Sequence, residues 1–187
     1  MTDVKDGQTV RWTAPSVMLL SVRPPHVDRI LDGTKTVELR RTRPSVRPRQ
    51  PVLLYATQPV GAIVGSCRIG GVRQAASEAM WGDIASSAAV SRGEYDRYLA
   101  GRDTVVALFI EDVRPLVAPI TLDQMRAAAP FQPPQTWHFL GADRLAQLTA
   151  AHPAAAELQA LLAAQQGHQI ARRAESGMPA VRTLARG

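Results

Sequence analysis

The chain has 187 residues, 45% hydrophobic and 20% charged, with a formal net charge of +6. That is one domain's worth of sequence, with too much apolar content for a wholly disordered polypeptide. One cysteine, Cys67, excludes an intramolecular disulfide and suits a reducing, cytoplasmic setting. The opening MTDVKDGQTVRW lacks the apolar core of a signal peptide, and no apolar run is long enough to cross a bilayer, so no membrane role is expected.

Residues 1–15 are polar and aperiodic, a tail with Trp12 as its anchor. SVMLLSV (16–22) is a continuous apolar run stopped by Pro24 and Pro25, which predicts a buried strand. PPHVDRILDG follows as a short helix, with proline at its start, Gly33 past its end, and Val27, Ile30 and Leu31 on one face. His26 near its start reads as a surface or capping residue. TKTVELR (34–40) alternates and predicts a second strand; RTRPSVRPRQP is a loop. VLLYAT (52–57) and AIVGSCRIGGV (62–72) predict further strands, with Gly65 and Gly70–Gly71 permitting bulges. Short turns between neighbours predict antiparallel pairing.

Residues 77–101 predict two helices, with Ser77 and Ser91 as N-caps, Glu94 at capping-box spacing from Ser91, and Gly101 as the stop. DTVVALFIEDV (103–113) is the clearest strand, and ITLDQMRAAA (120–129) a capped helix. PFQPPQTWHFL (130–140) reads as a proline-rich segment folded back on the rest, and 141–165 as alanine-rich helix broken near Pro153. Residues 166–187 read as a basic tail with Arg172, Arg173, Arg182 and Arg186. Strands with short helices inserted make an α+β arrangement, most simply a small open or closed β-barrel with helices at its openings.

Arg40, Arg41, Arg43, Arg47 and Arg49 carry nearly all of the net charge, a local strip suited to polyanions. Of the 22 Lys and Arg residues only Lys5 and Lys35 are lysines. Arginine is effectively never deprotonated, whereas a desolvated lysine can be, which singles out Lys35. The histidines 26, 138, 152 and 168 have no metal spacing, Cys67 has no CxxC partner, and no phosphate-cradling glycine loop or nucleophile elbow is present. No metal or cofactor is therefore expected. Cys67 reads as a buried small residue.

What remains is Lys35, Glu38 and Arg40, with Ser21 and Arg23 at the preceding strand end. A Lys–Glu pair in a part-buried cleft can act as anion clamp or proton carrier, whereas on an exposed strand it is an ordinary ion pair. On a regular strand Lys35 and Glu38 point to opposite faces. They share a pocket only if Lys35 precedes the ladder, in the Gly33 turn, or if a bulge re-aims it.

LLSVRPPHVDRILDGTKTVELRRTRP resembles the opening of an ASCH domain, whose G-x-K-x-x-E-x-R motif is met here by Gly33, Lys35, Glu38 and Arg40. The resemblance extends through VLLYATQPVGAIVG, SRGEYDRYLAG and FQPPQTW. It covers residues 16–140, outside the helical extension and basic tail of 141–187, and implies a PUA-like β-barrel with a motif-lined cleft beside it that engages RNA or other nucleic acid. Some members cleave RNA. Some small ones are amidohydrolases acting on an acylated cytidine, with a threonine three residues after the lysine; here Glu38 stands at that position.

Two functions follow as expectations. In the first, a binding domain takes RNA or a nucleotide, with DNA as another candidate partner. Arg23, Lys35, Glu38 and Arg40 line the cleft, and Arg41, Arg43, Arg47 and Arg49 meet phosphates. In the second, Lys35 and Glu38 are catalytic, in a metal-independent hydrolase of RNA or of a modified nucleoside. Oligomeric state is not encoded in any feature of the sequence.

Overall fold

The computed structural model describes residues 16–164, together with two short paired strands, β1 (Val4–Lys5) and β2 (Gln8–Thr9). Trp12 and the basic tail over 166–187 lie outside the described residues. The remaining strands are β3 (Ser16–Val22), β4 (Val37–Arg40), β5 (Gln50–Ala56), β6 (Ala62–Ala76), β7 (Thr104–Thr121) and β8 (Trp137–Gly141). The helices are α1 (Pro24–Leu31), α2 (Ser77–Ala88), α3 (Arg92–Leu99), α4 (Leu122–Ala128), α5 (Ala142–Thr149), and a last helix over 155–164.

The six strands form one mixed sheet in the order β4-β7-β6-β5-β3-β8. Its edges, β4 and β8, are short and do not pair with each other. The α+β class holds, but the sheet is open rather than a closed barrel. Two pairings differ from the antiparallel expectation for chain neighbours. β3 and β5 run parallel, because α1, β4 and the arginine loop intervene and return the chain to the same end. β4 pairs with β7, not with β5.

The apolar runs of β3 and β5 are continuous because both faces of the sheet are covered there. Val17, Leu19, Leu53 and Tyr55 join one buried cluster with α4, α5 and the last helix. Met18, Leu20, Val22, Val52, Leu54 and Ala56 join another with Val27 and Ile30 of α1. A third cluster packs Val37 and Leu39 of β4 and Val105 and Ala107 of β7 against Met80, Ile84, Tyr95 and Leu99 of α2 and α3.

The glycines of β6 act as the sequence suggests: the β6–β7 register shifts between Ile63 and Gly65 and between Ile69 and Gly71. Gly65 has a further use. A Cβ there would lie 2.6 Å from Leu31 Cδ2 and 3.0 Å from the Arg114 carbonyl oxygen, so its lack of side chain seats α1 on the sheet. Ser91 and Glu94 form the expected capping box at α3, and Thr121 and Gln124 form one at α4. Ser77 is not a cap; it is the first residue of α2, and its hydroxyl donates to the Arg102 carbonyl. The proline-rich 130–140 segment ends in an edge strand the sequence reading missed. Pro130, Pro133 and Pro134 mask it, and its pairing to β3 is long-range.

Candidate functional site

The site begins with α1 and the turn after it. Pro24 starts α1, and Val27 and Ile30 anchor it in the core. Gly33 then takes a left-handed φ of 82°, and Asp32 Oδ1 accepts from the backbone N–H of Thr34 at 2.8 Å. The turn closes over the C-terminus of α2. Three consecutive carbonyls, the last two of α2 and that of its C-cap Ala89, meet donors: Ser87 from the Thr36 amide at 3.0 Å, Ala88 from Lys35 Nζ at 2.6 Å, and Ala89 from Arg29 Nη1 at 2.6 Å. A cation at this negative helix end is electrostatically favoured.

β4 starts only at Val37, so Lys35 lies before the ladder and escapes its alternation. Lys35 Nζ sits 3.3 Å from Glu38 Oε2, and Arg40 Nη2 sits 3.0 Å from Glu38 Oε1. Arg40 Nη2 also donates to the Ser21 carbonyl at 2.9 Å, tying the chain of charges to β3. All three side chains are buried, Lys35 to 2% residual exposure. Desolvation pulls the Lys35 pKa below its ordinary 10.5, with Glu38 opposing the shift.

These residues line a cleft of about 190 Å³ whose wall also includes Ser21, Arg23, His26, Thr57, Glu94, Tyr98 and Gln135. Pockets for drug-sized ligands run to about 300–1,000 Å³, so this one has room for a single ring system. His26 Nδ1 is buried without a hydrogen-bond partner among the described residues, and its Nε2 lies 3.5 Å from Arg23 Nη2. Desolvation holds the His26 pKa below 6.5, against the attraction of Glu38. Tyr98 donates its hydroxyl to the Leu39 carbonyl at 3.1 Å, and burial raises its pKa.

The ASCH domain family matches residues 20–114, just over half the chain, including every motif residue of this cleft. The chain belongs to the ASCH domain family. An ASCH domain-containing ribonuclease of Zymomonas mobilis subsp. mobilis is 31% identical over 140 residues, spanning 73% of this chain and 88% of that protein. The crystal structure of ASCH from Zymomonas mobilis superposes with a TM-score of 0.67 at 30% identity, covering 72% of this chain and 94% of that one. A serine-to-alanine variant of the same protein gives 0.66, at 30% identity over 71% and 94%.

In this ASCH domain the five arginines of residues 40–49 do not form one strip. Arg40 is inside the cleft. Arg41 lies at its rim, donating through Nε to the Tyr98 carbonyl at 2.7 Å with its guanidinium 4.8 Å from the centre of the Tyr98 ring. Arg43 reaches the Val72 carbonyl at 3.4 Å. Arg47 is buried. Arg49 pairs with Glu111 at 3.1 Å and with Asp112.

Cys67 is fully buried and its thiol is pushed up to about 12, so it stays protonated and is no nucleophile. Among the described residues no group of three or more His, Cys, Asp or Glu side chains is placed to hold a metal ion. The sequence reads His26 as a surface or capping residue, whereas it lines the cleft, three residues after Arg23 at the same helix start. Glu94, Tyr98 and Gln135 had no local signal, because they arrive from α3 and from the segment before β8.

Proposed function

We propose that this ASCH domain binds single-stranded RNA, takes one nucleotide into the Lys35–Glu38–Arg40 cleft, and cleaves the adjoining phosphodiester without a metal ion. A lysine, a carboxylate and two guanidiniums converge on a cleft sized for one base, in a chain 31% identical to a relative named a ribonuclease. That conjunction carries the proposal.

The chemistry needs a base, an acid and charge at phosphorus. The nucleophile is the RNA's own 2′-hydroxyl. Neutral His26 takes its proton as the bond from O2′ to phosphorus forms. Arg23 and Arg40 stabilise the charge on the phosphoryl oxygens. The bond from phosphorus to O5′ breaks, and the departing oxygen takes a proton from Lys35. An ammonium has three N–H donors. The Ala88 carbonyl and Glu38 engage two, leaving one for the substrate. A lowered pKa makes Lys35 a better acid than an ordinary lysine, and Glu38 holds it in place. The products are a 2′,3′-cyclic phosphate and a 5′-hydroxyl end.

Binding without turnover is the second reading, and the double engagement of Glu38, by Lys35 and Arg40, favours it: such a carboxylate is a clamp rather than a proton carrier. Incubation with single-stranded RNA, single-stranded DNA and an acylated cytidine, each with a chelator, separates the readings. Cleavage of RNA alone, with cyclic phosphate ends that persist under chelation, is expected. Binding of RNA with no cleavage leaves the second reading. Turnover of the nucleoside alone overturns both.

A further inference from the structure

We infer that Arg23, Arg41 and Arg97 form a phosphate-holding subsite for the nucleotide next to the one in the cleft. This rests on the RNA reading above and extends it to a second, separately testable site.

A second cleft, of about 420 Å³, adjoins the first and is lined by Arg23, Arg41, Glu94, Arg97 and Tyr98. Arg23, Glu94 and Tyr98 belong to both walls, so the two clefts form one path. The three arginines come from three elements: the end of β3, the loop after β4, and the last turn of α3. All are exposed, and among the described residues none is in an ion pair, whereas Arg49, Arg68, Arg73 and Arg92 all are. The same holds among the described residues for exposed Arg29, Arg43, Arg102, Arg114 and Arg126, but Arg23, Arg41 and Arg97 are the ones that share the wall of this cleft.

The one carboxylate in the wall, Glu94, is already committed. Its Oε2 accepts from the Ser91 amide at 2.7 Å and from the Ser91 hydroxyl at 2.8 Å, which holds its charge against the positive start of α3. Arg41 is fixed by its stacking on Tyr98 and its bonds to the Tyr98 carbonyl. A guanidinium held this way keeps free N–H donors while losing little entropy on meeting a phosphate. A phosphate here lies outside the base-sized cleft, so the ligand that fills both is a strand rather than a mononucleotide.

The test measures binding of a 2′-O-methylated single-stranded RNA, which cannot form the cyclic phosphate, and of a nucleoside monophosphate, across a range of salt. Arg97→Gln and Arg41→Gln are compared with wild type and with Arg114→Gln, an exposed arginine lining neither cleft. Arg97→Gln is expected to weaken oligonucleotide binding roughly fivefold at low salt. It should also flatten the slope of log affinity against log salt by about 0.7, the share of one phosphate contact on a single strand. Mononucleotide binding and the melting temperature stay at wild-type values, and Arg114→Gln changes nothing. If wild type binds the oligonucleotide but Arg97→Gln and Arg41→Gln keep its full slope, the subsite is wrong and the RNA reading stands. The subsite is also wrong if Arg97→Gln weakens mononucleotide and oligonucleotide equally. If wild type shows no salt-dependent binding of the oligonucleotide, the RNA reading fails and the subsite with it.

Discussion

Lys35 Nζ and Glu38 Oε2 are 3.3 Å apart although the two residues are three apart in sequence and strict strand alternation separates their faces. The ladder begins at Val37, so the backbone at Lys35 is set by the Gly33 turn and by hydrogen bonds to Arg29 and α2. The same geometry gives Lys35 two roles: it faces the cleft, and it caps α2.

The capping role has a stability consequence. Lys35→Met leaves the Ala88 carbonyl and one Glu38 oxygen without their buried partner. It is expected to lower stability by about 2–4 kcal/mol, measured by urea denaturation. An unchanged midpoint would show that Lys35 contributes nothing to the fold.

Lys35 also links stability to pH. Its folded pKa lies below 10.5, so between the two values the unfolded chain binds more protons than the native one. Stability should therefore rise as pH climbs from the folded pKa toward 10.5, and this increment should be missing in Lys35→Met. Denaturation at a series of alkaline pH values reads the difference between the two proteins.

His26 should set the acid side of the cleavage profile. The groups acting on it are Arg23 and Arg29 of the α1 region, Lys35 and Glu38 of the turn and β4, and Glu94 of α3. Burial lowers its pKa below 6.5. Activity should thus fall on acidification with an apparent pKa below that value, and His26→Gln should lose the acid limb and about 10²-fold or more in rate. A limb unaltered in His26→Gln assigns the base elsewhere.

Gly65→Ala tests the seating of α1. The new methyl would meet Leu31 and the Arg114 carbonyl, at an expected loss of about 1–3 kcal/mol. Because α1 carries His26, cleavage should also drop at temperatures where the variant is fully folded.

Much of this was legible in the sequence because it is local. The helix of residues 24–31, the Gly33 turn, the Ser91–Glu94 box and the β6 bulges each depend on a few neighbouring residues, and each is where the pattern put it. The G-x-K-x-x-E-x-R spacing identified the charged centre of the candidate site. What was hidden depends on long-range pairing. The parallel β3–β5 ladder has no helix-only crossover to announce it, and β8 lies behind prolines. The arginine loop looked like one charged surface because sequence does not show that Glu111 and Asp112, some sixty residues on, claim Arg49. Tyr98 and Arg97 reach the clefts only through the packing of α3.

The most direct test of the central claim is the rate of single-stranded RNA cleavage, with chelator present, by wild type and by Lys35→Met, each under conditions where the protein is folded. Metal-free cleavage by wild type and a loss of about 10²–10⁴-fold in the variant are expected. Equal rates in the two proteins would contradict the assignment of Lys35, and with it the cleft, as the site of reaction.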